Sequence, residues 1–157
     1  MSEAKQLREL LARQLDSEGA HVGYPRAVAD FPSELRGVVP KGFVHSAWQM
    51  VEHMRLAQAD ILDFCVNPDY VARPWPGSYW PDVAPRDEAE WEASVEGHRS
   101  DLQALRKLAL DASIDLFATI PWGDGQTCLR ELLLVADHTA YHVGQLVALR
   151  QVLGCWR

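Results

Sequence analysis

Residues 127–154 read TCLRELLLVADHTAYHVGQLVALRQVLG, a run that opens on a helix-capping threonine and closes on a glycine. Leu132, Leu133, Leu134, Val135, Ala136, Ala140, Val143, Leu146 and Val147 leave it apolar nearly all round. The pattern predicts a helix from about Thr127 to Leu153, the most buried of the chain. His138 and His142 are set into it four residues apart, hence on one face, at the spacing that lets two imidazoles grip one ion. Thr139 stands where an HExxH motif needs its glutamate general base, so this is not a zincin signature.

Three further segments carry helical periodicity. Over about 44–66, Met50, His53, Ala57, Ile61 and Phe64 form one stripe, entered after Pro40 and Gly42 and closed by Asn67-Pro68. His53 takes a place that apolar residues otherwise hold. Over about 87–111, Asp87 and Glu90 stand in capping-box spacing ahead of a face bearing Trp91, Val95, His98, Leu102 and Leu105. Over about 3–17, Leu7, Leu10, Leu11 and Leu15 repeat at helical spacing, with Ser17, Glu18 and Gly19 as the stop. Connections of about 26, 20 and 15 residues lie between, against the roughly 2 to 8 usual within bundles, and loops of that length are usually functional. The stretch RPWPGSYWP, 73–81, is too aromatic for a disordered linker. Loop 68–86, with Trp75, Tyr79 and Trp80, is therefore expected to cover or border the open side of any site.

A length of 157 residues fits one all-α domain spanning 1–157, since a domain takes roughly 100 to 200 residues. The net charge of -7, without a cluster of Lys and Arg, argues against a nucleic-acid partner. No apolar run approaches the roughly 18 residues that span a bilayer, so neither a membrane partner nor secretion is expected. Cys65, Cys128 and Cys155 are widely separated and form no CxxC; buried thiols in a reducing cytoplasm fit them best. A homodimer is compatible with this composition.

A rise of about 1.5 Å per residue puts His53 roughly 14 Å into its helix and the His138/His142 pair roughly 18 Å into its own, so the three can meet at mid-bundle. Two readings follow: a metal site of His53, His138 and His142, or core histidines satisfied by hydrogen bonds. Three neutral imidazoles suit zinc, nickel, copper or iron(II) and leave coordination positions free for water or substrate. Glu131 and Asp60, each within two turns of a histidine, are the candidates for a catalytic base, against the plainer reading as solvated or capping groups. His45 can overlook the site from its rim or serve as a polar group at helix entry, His98 is expected as a hydrogen-bonded core histidine, and His21 falls in a loop.

At these residues the sequence resembles the DinB/YfiT-like family of metal-dependent enzymes. The resemblance rests on HSAWQMVEH (45–53), RLAQADIL (55–62), IPWGDGQT (120–127) and ADHTAYHVGQ (136–145). It implies a four-helix bundle with up-down-down-up topology, whose crossovers account for the long connections, and a metal triad at His53, His138 and His142. Zinc or nickel is the expected ion, with manganese or iron as alternatives. The implied activity is that of a hydrolase or an S-transferase using a low-molecular-weight thiol, acting on a small-molecule substrate; the alternative is a non-catalytic metal-binding or stress-response module.

Overall fold

Residues 2–16 and 19–156 are described by a computed structural model, in which five helices follow one another. They are α1 (Glu3–Leu15), α2 (Tyr24–Val28), α3 (Ala47–Val66), α4 (Glu88–Leu110) and α5 (Cys128–Val152). The all-α class holds: among the described residues the only β pairing is an isolated bridge between Thr119 and Thr127. No helix there is long and apolar enough to cross a membrane.

Each long helix begins where a side-chain oxygen meets the orphan N–H groups of its first turn. The Thr127 hydroxyl accepts from the Arg130 N–H at 3.2 Å and the Asp87 carboxylate from the Glu90 N–H at 2.8 Å. Ser46 accepts from the Gln49 N–H at 3.1 Å while Gln49 Oε1 accepts from the Ser46 N–H at 3.1 Å, a complete capping box. The box expected at Asp87 is only half formed, because the Glu90 carboxylate turns back to the Arg86 backbone N–H at 2.6 Å and guanidinium at 2.9 Å. With Ser46 as cap, α3 starts at Ala47 rather than near 44, and His45 lies outside the helix. In α1 the last helical residue is Leu15; of the expected stop, Ser17 and Glu18 lie outside the described residues. The short α2, with Pro25 in its first turn, has no counterpart in the sequence reading, since five residues are too few to show a period.

Helix α3 packs on α4 and α5, and α1 covers the same two helices from the far side. Cross-contacts fix their directions. Trp48 lies near Trp91 and Gln58 bonds the His98 carbonyl, so α3 and α4 run the same way. His53, early in α3, meets His138 and His142 midway along α5, while Cys65 near the end of α3 lies against Cys128 at the start of α5, so α3 and α5 run oppositely. Arg8 bonds the Ala109 carbonyl and Arg106 pairs with Asp16, so α1 opposes α4. Two apolar clusters result, one around Trp48, Met54, Trp91 and Leu146, the other around Leu15, Leu105, Leu132 and Val135. A fully buried leucine such as Leu105, Leu146 or Leu149 contributes about 1.5–3 kcal/mol. The three histidines lie at the seam between the clusters.

The long connections are tied to the helices rather than free. Buried Arg36 donates to Glu88 at 2.7 Å and to the Phe31 carbonyl at 3.2 and 3.3 Å, with its guanidinium over Trp91. Segment 68–86 is held to the start of α3 where Ser46 Oγ donates to the Val83 carbonyl at 2.6 Å and Gln49 Nε2 to the Pro81 carbonyl at 3.1 Å. That anchorage delivers Tyr79 and Trp80 to the histidines.

Candidate metal centre

Helix α3 contributes His53 and α5 contributes His138 and His142, and one nitrogen from each ring lies within 4.8 Å of the others. His53 and His142 are buried and His138 is half-buried. His53 Nε2 and His138 Nε2 are 3.0 Å apart. That is a hydrogen-bond distance; nitrogens held about 2.0–2.1 Å from one tetrahedral ion would stand about 3.4 Å apart, between this 3.0 Å and the 4.8 Å that bounds all three, so a small adjustment of the rings would let them share a cation.

The far sides of two rings are fixed by hydrogen bonds. His53 Nδ1–H donates to the Tyr79 carbonyl at 3.1 Å, and His142 Nδ1–H to Gln145 Oε1 at 2.8 Å. Each bond places the proton on Nδ1 and leaves the Nε2 lone pair facing the other rings, the orientation that outer partners give metal-ligating histidines. Burial pushes all three imidazoles below their ordinary pKa, and at His138 and His142 the neighbouring rings lower it further. The triad is therefore neutral at physiological pH, with lone pairs available.

An aromatic wall closes one side. Trp80 stacks on His53 at 3.9 Å between ring centroids, and His45 stacks on the other face of Trp80 at 3.7 Å. Trp80 also meets His142 edge-on at 6.3 Å. Of the three loop aromatics expected over the site, Tyr79 and Trp80 border it. Trp75 is 74% exposed and its ring meets that of Tyr79 at 5.4 Å.

The candidate bases lie further off. Asp60 accepts from the Tyr79 hydroxyl at 2.7 Å and the Tyr70 hydroxyl at 3.2 Å, and so acts on the site through Tyr79, whose carbonyl holds His53. Glu131 is buried and paired with Arg130 at 2.6 Å. Neither carboxylate is hydrogen-bonded to a triad histidine. His98 is buried as expected, but instead of a hydrogen bond it has a stack on Tyr24 at 3.8 Å, and neither ring nitrogen is paired within the described residues. His21, in its loop, faces the Val22 carbonyl. Cys65 and Cys128 are buried and their thiols pushed up by desolvation, while Cys155 is half-buried.

Gln145 and the Tyr79 carbonyl escaped the sequence reading. Gln145 carries a local signal, standing one turn after His142; a backbone carbonyl twenty-six residues from His53 carries none. No known protein family, curated protein or solved structure matches the chain, so the reading of this centre rests on its geometry.

Proposed function

We propose that His53, His138 and His142 hold one divalent transition metal, zinc or nickel by preference, and that the chain is a metal-dependent enzyme, a hydrolase or a thiol S-transferase. The observation that carries this reading is the convergence of three neutral imidazoles, two buried and one half-buried, with one ring nitrogen of each within 4.8 Å of the others. A bound ion with free coordination positions lowers the pKa of water or a thiol toward neutrality, which is the chemistry the centre would use. The protein's own part is to hold the ligands. The Tyr79 carbonyl and Gln145 fix two rings, and Trp80 shields the His53 face from water. As ligands the histidines give up their lone pairs and do not shuttle protons.

The helix directions described above support an up-down-down-up four-helix bundle of α1, α3, α4 and α5, and with it membership of the DinB-like family. The engagement of Asp60 by tyrosines and of Glu131 by Arg130 favours a second reading, a non-catalytic metal-binding or stress-response module. A panel of bacterial thiols with epoxides, halides and activated esters, assayed with zinc, nickel, manganese and iron, separates the two. The enzyme reading expects turnover that depends on metal identity and disappears on chelation. Turnover undiminished by chelation contradicts it, and no turnover with any pairing selects the module.

A further inference from the structure

Between α2 and α4 lies a cleft of about 370 Å³. Val28, Trp91, Val95 and Leu102 give it apolar walls, and Tyr24 and His98 line it beside them. The rings of Tyr24 and His98 are stacked at 3.8 Å between centroids with 14° between their planes, so an apolar pocket adjoins a flat π surface.

The polar atoms around that stack are unusual. Among the described residues six buried side-chain atoms have no hydrogen-bond partner, and five of them gather here: the Tyr24 hydroxyl, both ring nitrogens of His98, Ser94 Oγ and Gln58 Oε1. Ser94 stands one turn before His98 on α4, and Gln58 Nε2 donates to the His98 carbonyl at 2.6 Å, which holds the group together. Tyr24, Ser94, His98 and Gln58 are each no more than 4% exposed. Buried polar atoms are normally paired, because an atom that has given up water without gaining a partner is costly. A ligand that pairs with them therefore gains what the protein alone does not supply.

The chemistry of these atoms selects the ligand. A neutral imidazole carries one N–H and one lone pair, and a phenol hydroxyl likewise donates and accepts. Their complement is a group that also does both, a hydroxyl; a carboxylate only accepts and an ammonium only donates. Charge at the rim agrees. Arg99 is paired with Glu96 at 2.5 Å, so Glu92 leaves the rim with a net negative charge that repels an anion.

We propose that this cleft binds a small neutral phenol, with its ring against Trp91 and the Tyr24–His98 stack and its hydroxyl paired with His98 and Tyr24. The polar atoms are closed to bulk water, and Tyr24, carried on the five-residue α2, is the side chain that yields as the hydroxyl enters. The site is independent of the metal centre, since no triad histidine lines it.

The test is an NMR titration of the full chain with p-cresol and with p-xylene, which keeps the shape and replaces the hydroxyl by a methyl group. p-Cresol should shift the Trp91 indole and Leu102 amide signals. Its affinity should fall about tenfold or more in His98→Leu, while that of p-xylene changes by less than about twofold. Tyr24→Phe keeps the stacked ring, removes one hydroxyl and decides the matter if the first variant fails to fold; there p-cresol should lose about threefold or more and p-xylene again less than about twofold. A p-cresol affinity that is unchanged in both variants, a loss no larger than that of p-xylene, or no shift of Trp91 with either compound overturns the proposal.

Discussion

Gln145 bears on the metal centre through a single contact, its Oε1 at 2.8 Å from His142 Nδ1. Without that acceptor the ring is free to turn and to move its proton, so Gln145→Ala should weaken metal affinity about 10–100-fold, read by competition with a chromophoric chelator. His98 poses the opposite case, with two buried ring nitrogens that pair with nothing described. Removing unpaired buried polar atoms gains about 1–3 kcal/mol, against about 0.5–1.5 kcal/mol for the lost stack on Tyr24. His98→Leu should therefore stabilise the protein by about 1 kcal/mol at neutral pH. Urea unfolding that shows a loss of more than about 2 kcal/mol would mean that His98 has a partner worth a full hydrogen bond.

Among the elements, the start of α3 matters most to the site. Ser46, fully buried, caps the helix and through its hydroxyl holds the Val83 carbonyl, which ties the segment bearing Tyr79 and Trp80 to the helix bearing His53. Ser46→Ala should cost about 1–3 kcal/mol in urea unfolding and also weaken metal binding, whereas a cap acting only on the helix would leave metal binding unchanged. The long helices were legible because each shows many turns of one period, and α5 runs within one residue of its expected bounds at either end. His53, His138 and His142 were legible for a related reason: a polar ring on an apolar stripe is conspicuous, and helical rise sets its depth. The sequence did not reveal α2, which is too short for periodicity. Nor did it reveal the sandwich of Trp80 between His45 and His53, because that depends on where a long loop folds back. His45 seemed to sit on the helix because Pro40 and Gly42 marked an early entry, yet the capping box at Ser46 and Gln49 won.

For the molecule as a whole, the buried imidazoles make acid a destabilising agent. His98 is pushed down to about 4 from an ordinary value of 6.5 by desolvation, and the triad histidines are lowered for the same reason. Below pH 6.5 the unfolded chain therefore takes up protons that the folded chain refuses. Stability should be full above that pH and fall progressively as pH drops toward about 4. Thermal melts of the metal-free protein across this window check the sign, and in His98→Leu the fall should be shallower. The most direct test of the central claim is elemental analysis of protein purified without an affinity tag, beside a variant with all three of His53, His138 and His142 changed to Ala. The account predicts about one transition-metal ion per parent chain and essentially none in the variant, while both remain helical because the two apolar clusters do not depend on the ion. A variant that keeps the parent's metal content, or a parent chain that takes up no metal when it is supplied, would contradict it.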